Sequence, residues 1–157
     1  HITTPHHFAQ IYTRASYVSG PIPCKPACSM AQDDIMALLV EYFLEISMLQ
    51  YSFVMEKPSK VAAAAVYLAR ATLDIGDASD PSDVQCTSYF SKTLKWYSQY
   101  EAADLKDVVM RLHLAHSGAS DANLKSVFEK WKKSSLKKVA LKLPALKDTL
   151  SKSFVLQ

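Results

Sequence analysis

Four residues near the start of the chain have the types that bind zinc. Cys24 and Cys28 could supply two thiolates, and His6 and His7 two imidazoles, to a tetrahedral ion. Adjacent histidines on a helix diverge by about 100°, however, so they do not face one metal together. The prolines at positions 21–26 also account for an irregular loop at the cysteines without a metal. We therefore expect no zinc site in the chain.

A second pair of histidines, His113 and His116, lies three residues apart on one face of a predicted helix. This spacing can hold a metal inside a helical bundle, but such sites also need carboxylates from the facing helices, and none is evident in the sequence. We expect instead one partly buried histidine and one at the end of its helix, near the negative end of the helix dipole.

A lysine-rich segment near the C-terminus could neutralise phosphate groups. Its members are Lys130, Lys132, Lys133, Lys137 and Lys138. Residues 124–157 have a net charge of +7, whereas residues 1–123 have a net charge of −4. Trp131 falls in helical register with Leu124, Val127 and Phe128, as a core residue would. We predict a solvated surface with at most weak anionic partners, and nucleic-acid binding is the less favoured alternative.

The sequence lacks the motifs of several common enzyme classes. Its three glycines, Gly20, Gly76 and Gly118, are too few and too far apart to build a phosphate-binding loop. No His-Glu-x-x-His motif, no Gly-x-Ser-x-Gly motif and no pair of cysteines separated by two residues occurs. We therefore expect a protein that is not an enzyme and that uses no cofactor.

The elements that must position these residues have the pattern of helices separated by turns. The 157 residues, 49% hydrophobic and 21% charged, suffice for one globular domain, and no stretch shows the alternation of a strand. Apolar residues at helical spacing predict helices at about 4–16, 32–51, 58–73, 89–97, 104–117 and 124–131. The prediction is an all-α bundle of five to six helices that forms a single domain over residues 1–157.

The third predicted helix is expected to be the centre of the bundle. Between residues 61 and 73 only Tyr67, Arg70 and Thr72 interrupt the apolar sequence, and a helix that is apolar on nearly all sides belongs in the core. The four alanines at 62–65 would let the backbones of neighbouring helices approach closely.

Several features bear on where the protein resides. The apolar stretch at 61–69 is less than half of the about 20 residues that a membrane span needs, and no signal-peptide pattern opens the chain. Three cysteines are an odd number that argues against a disulfide framework and for a reducing compartment. The first residue is His1 rather than methionine, so we expect the chain to be a fragment.

Two segments at the central helix have a specific sequence. They read LEISMLQY at 44–51 and KPSKVAAAAVYLAR at 57–70. Both resemble the C-terminal cyclin box of mitotic A- and B-type cyclins, and weaker similarity at 4–8, 90–105 and 124–140 extends the resemblance over about residues 4–146. Residues 147–157 are left as a tail. Phe90 stands where that family usually has Trp, and Gln99 where it often has Gly.

The resemblance implies a non-catalytic regulatory subunit that binds and activates a cyclin-dependent kinase and so controls cell-cycle progression. It also implies a location in the nucleus and the cytoplasm. In the family an N-terminal cyclin box, which this chain lacks, makes most contacts with the kinase, and the C-terminal box supports it. The expected partners are therefore the kinase and that N-terminal box. The alternative is a transcription-factor-type cyclin repeat that binds DNA through its basic C-terminal segment.

Overall fold

The computed structural model describes residues 3–18, 30–73, 89–120 and 125–142. These residues form helices and turns but no strand, which confirms the all-α fold class. Six α-helices follow in the order α1 (Pro5–Val18), α2 (Met30–Met48), α3 (Pro58–Thr72), α4 (Lys92–Ser98), α5 (Ala102–Ser117) and α6 (Ser126–Trp131). Short 3₁₀ turns lie at Tyr51–Phe53, Ser134–Leu136 and Val139–Leu141. None of these helices has a long enough apolar sequence to serve as a membrane span.

Helix α3 lies at the centre of the bundle, as predicted. Every residue from 61 to 71 is buried, and the alanines at 62–65 are at most 1% exposed. The helix begins with Pro58 in its first turn, where the missing proline N–H costs no helical hydrogen bond. It packs against α1, α2, α4 and α5, and its methyl side chains leave room for all four neighbours.

Several helix ends differ from the prediction, and local backbone chemistry explains three of them. Helix α2 ends at Met48, since Gln50 is extended before the following 3₁₀ turn. Helix α4 begins only at Lys92, because the hydroxyl of Ser91 accepts the Leu94 N–H at 3.1 Å and caps the helix. Helix α5 begins two residues before Asp104, whose carboxylate accepts the backbone N–H of residue 101 at 3.0 Å.

Arg111 of α5 fixes the connection between α2 and α3. Its guanidinium donates to the backbone carbonyl of Ser52 at 2.7 Å, to the Asp107 carboxylate at 2.6 Å and to the carboxylate of Glu56. It also lies over the Phe53 ring, 5.2 Å from the ring centre. Hydrogen bonding from Arg111 lowers the pKa of Glu56, so the ion pair persists at neutral pH.

Candidate functional site

The lysine segment, residues 130–138, is attached to the bundle at its start by Trp131. This side chain is 2% exposed, and its indole N–H donates to the Glu45 carboxylate of α2 at 2.8 Å. Its ring centre lies 6.1 Å from that of Tyr42. Trp131 is therefore a core residue, as its helical register predicted, and it anchors α6 on α2.

The chain returns to the bundle immediately after the segment. Val139 and Ala140 are 0% and 5% exposed, and the ring N–H of His116 on α5 donates to the backbone carbonyl of Lys142 at 3.1 Å. The lysine segment is thus held at both ends, and residues 132–135, 137 and 138 between these anchors are exposed.

Carboxylates neutralise three of the five predicted lysines. Lys130 pairs with Glu45 and also lies over the Trp131 ring, 5.1 Å from its centre. Lys132 pairs with Glu129 at 3.4 Å, and Lys137 pairs with Asp34 of α2 at 3.0 Å.

The other two lysines, Lys133 and Lys138, have no carboxylate within 4.0 Å among the described residues. The ion pairs of the other three lysines make the lysine segment less positive than the sequence indicates. The carboxylates of Asp34 and Glu45, which sequence reasoning did not connect with the lysines, cause the difference.

The buried histidines of α5 differ from the prediction. His116 lies in the last turn of the helix but is only 5% exposed, and burial lowers its pKa to about 4. Its ring stands edge-on to Tyr42 and Phe43, and its second nitrogen accepts the Tyr42 hydroxyl at 3.3 Å. The position of His116 at the helix end is as predicted, but its neutral imidazole places no positive charge near the negative end of the helix dipole. His113 is buried as well, at 7% exposure.

The described residues hold no cluster of three or more histidine, cysteine, aspartate or glutamate side chains that could hold a metal. His6 and His7 are exposed on α1, where His6 contacts the Gln10 amide at 3.0 Å and His7 contacts the Thr4 hydroxyl at 2.9 Å. All three cysteines lie outside the described part of the chain. The expectation that no zinc site forms there stays a prediction.

An apolar group is exposed at the connection between α2 and α3. Met48, Tyr51, Val54 and Met55 are 76%, 83%, 65% and 86% exposed. Scattered apolar side chains are common on protein surfaces, but these four, together with Leu49 at 40% exposure, form a concentration within 48–55 of the kind that marks interaction surfaces. We refer to these four side chains as the apolar rim.

These observations define the class of the protein as an all-α bundle in which one buried, alanine-rich helix contacts four others. The sequence matches the family described as "Cyclin, C-terminal domain" over residues 3–145, and the chain belongs to that family. The resemblance to the C-terminal cyclin box is thereby confirmed.

Similar proteins include A- and B-type cyclins of plants. The chain is 29% identical to Cyclin-A2-1 of Arabidopsis thaliana over 139 residues, which are 88% of this chain and 27% of that protein. It is 33% identical to Cyclin-B1-1 of Oryza sativa subsp. japonica over 114 residues, 73% of this chain and 23% of the relative. It is 32% identical to Cyclin-B1-4 of Arabidopsis thaliana over 148 residues, which are 94% of this chain and 32% of that protein. The chain thus spans about a quarter to a third of the length of these relatives.

Proposed function

We propose that this chain is one domain of a cyclin that acts as a non-catalytic regulatory subunit and activates a cyclin-dependent kinase during the cell cycle. The observation that carries the proposal is the family match over residues 3–145 together with A- and B-type relatives along most of the chain. A regulatory subunit shifts the conformational equilibrium of a kinase towards the active state, because it binds the active arrangement more tightly than the inactive one. The whole cyclin would act in the nucleus and the cytoplasm.

Within such a cyclin, the role of this domain would be to support the N-terminal cyclin box rather than to bind the kinase. The relatives are three to four times longer than the matched region, so most of a relative's chain lies outside it. The apolar rim supports this role, because exposed Tyr51 and Met55 side chains would gain free energy on burial against further protein. The buried helix α3 and the contacts of Arg111 hold the backbone of that rim in place.

For the lysine segment we propose a solvated surface with weak anionic partners. Paired, exposed lysines contribute little net positive potential, because a carboxylate lies within 4.0 Å of Lys130, Lys132 and Lys137. Tight duplex binding would need several lysines free to contact phosphates. The pairing therefore favours the kinase-regulating function over the DNA-binding alternative.

The test is phosphate transfer by a purified cyclin-dependent kinase. The protein encoded by the full reading frame should co-purify with the kinase and activate it, whereas residues 1–157 in large excess should not. A known full-length A-type cyclin is the positive control. Activation by residues 1–157 comparable with that control would contradict the supporting role, and failure of the full-length protein to bind any such kinase would contradict the proposed function.

The apolar rim gives a second measurement with a matched control. Met55→Ser should lower the melting temperature of the full-length protein but leave that of residues 1–157 unchanged, since Met55 is 86% exposed in this chain. The control is Leu114→Ser, a change of another exposed apolar side chain, on α5. Equal effects of Met55→Ser on both proteins would show that the rim contacts nothing outside this domain.

A further inference from the structure

The lysine segment contains a closed turn that presents two serines. The backbone N–H of Lys138 donates to the carbonyl of Lys133 at 3.2 Å, so the two lysines stand side by side at the base of the turn. Ser134 and Ser135 lie in the 3₁₀ turn between them and are exposed. Neither serine hydroxyl has a hydrogen-bond partner among the described residues.

The charges around the turn favour Ser135 as an acceptor of phosphate. Lys132 and Lys133 occupy the third and second positions before it, and Leu136 follows it. Lys133 and Lys138, at the base of the turn, are the two lysines of the segment without a carboxylate neighbour in the described residues. We propose that Ser135 is a phosphorylation site for a protein kinase whose acidic substrate groove recognises Lys132 and Lys133.

The reaction would be an ordinary phosphoryl transfer from ATP. The Ser135 hydroxyl oxygen forms a bond to the γ-phosphorus, the bond from that phosphorus to the β–γ bridging oxygen breaks, and ADP leaves. The hydroxyl proton passes to the catalytic aspartate of the kinase. The same kinase binds the ATP and the Mg²⁺. This proposal does not depend on the function proposed above, because the modifying kinase and the regulated kinase are separate proteins.

Opening of the turn would break two contacts with the bundle, the packing of the partly buried Leu136 against the core and the ion pair between Lys137 and Asp34. Lys137 and Lys138 both have left-handed backbone angles, with φ of 51° and 52°, which are unfavourable for side chains other than glycine. The anchors on either side, Trp131 and Val139, are buried, so we expect the movement to be confined to the residues between them. Ser135 is therefore accessible to a kinase that binds its substrate in an extended form.

Once formed, the phosphate would lie next to Lys133 and Lys138. A phosphoserine carries about two negative charges and three strong acceptor oxygens, so it can pair with both ammonium groups. It would hold the turn closed and offset the two positive charges that the structure leaves without a carboxylate. Phosphorylation would thus remove most of the remaining anion-binding capacity of the lysine segment.

The experiment uses the folded chain, Mg²⁺, ATP and the catalytic subunit of the cAMP-dependent protein kinase as the probe for an acidic substrate groove. We expect one phosphate, located on Ser135 by mass spectrometry. Ser135→Ala should abolish it, and Ser134→Ala should not. Lys132→Ala should lower kcat/KM about tenfold through loss of one ion pair in the groove.

A second measurement tests the pairing within this chain. In the phosphorylated protein, phosphorus NMR should give a second phosphate pKa below its ordinary value of about 6, because nearby ammonium groups favour the dianion. Lys138→Ala lies outside the residues that the kinase reads and should raise that pKa towards its ordinary value.

Each contrary result overturns a part of the proposal. Phosphate on Ser134 or elsewhere contradicts the site, and an unchanged rate for Lys132→Ala contradicts the recognition. Phosphorylation of a peptide of residues 129–141 but not of the folded chain would show that the turn does not open. An ordinary phosphate pKa, unaffected by Lys138→Ala, would contradict the pairing with the lysines.

Discussion

Mild acid should destabilise this domain through the buried His116. The imidazole is neutral in the folded state, where one nitrogen donates to the carbonyl of Lys142 and the other accepts the Tyr42 hydroxyl. Protonation would turn the accepting nitrogen into a donor that faces a hydroxyl and would bury a charge between two aromatic rings. The unfolded chain has neither constraint and takes up the proton at the ordinary histidine pKa.

The magnitude follows from the two pKa values. Burial lowers the pKa of His116 from 6.5 to about 4, so between these values the unfolded state binds more protons and stability falls as the pH falls. The full difference corresponds to about 3 kcal/mol, of which about 2 kcal/mol is already lost near pH 5. For a chain of this size the melting temperature should fall by about 4–8 °C between pH 7.5 and pH 5.

The assay is urea unfolding at a series of pH values, in the unmodified chain and in two variants. His116→Gln keeps an amide that can donate to the Lys142 carbonyl but cannot titrate, so the slope of unfolding free energy against pH should flatten between about pH 6.5 and 4. His7→Gln replaces an exposed histidine of α1 and is the matched control. The Glu56 carboxylate, whose pKa is lowered from 4.5 by the Arg111 hydrogen bond, loses its contribution only in more acidic solution.

Two outcomes would refute this reasoning. If His116→Gln has the same pH slope as the unmodified chain and as His7→Gln, the histidine is not the titrating group. If NMR shows the His116 imidazole titrating near its ordinary value, the ring is not desolvated as the contacts with Tyr42 and Phe43 indicate. The NMR measurement remains decisive even when His116→Gln folds poorly.

Three further changes test the bundle. Ala65→Leu should destabilise the chain by about 1–3 kcal/mol because Ala65 is 0% exposed in the central helix; a melting temperature equal to that of the exposed control Ala103→Leu would contradict its central position. Gln99→Gly should stabilise the chain by about 1 kcal/mol, because Gln99 ends α4 with a left-handed φ of 60°. A melting temperature that does not rise would contradict backbone strain at Gln99. Arg111→Met should cost about 1–2 kcal/mol and speed amide exchange at 51–56, whereas unchanged exchange would show that Arg111 does not hold that connection.

The sequence predicts the fold well because the strongest signals lie at the core. Four consecutive alanines cover about 300° around a helix, so a pattern that is apolar on every side can only describe a central helix, and residues 62–65 are indeed buried. Helix ends are set by single hydrogen bonds that hydrophobic spacing does not report. The Ser91 cap moves the start of α4 to Lys92, although Tyr89 and Phe90 continue the apolar sequence and are buried against Tyr67.

The candidate surface is harder to predict, since its character depends on partners far away along the chain. The helical periodicity of the apolar residues predicts that Trp131 is buried and that Lys130 and Lys132 are exposed. The same periodicity carries no information about the carboxylates that pair with these lysines. Glu45 lies 85 positions before Lys130, and Asp34 lies 103 positions before Lys137. Net charge along the sequence therefore overstates the positive potential of the segment, because folding brings the acidic residues of α2 against it.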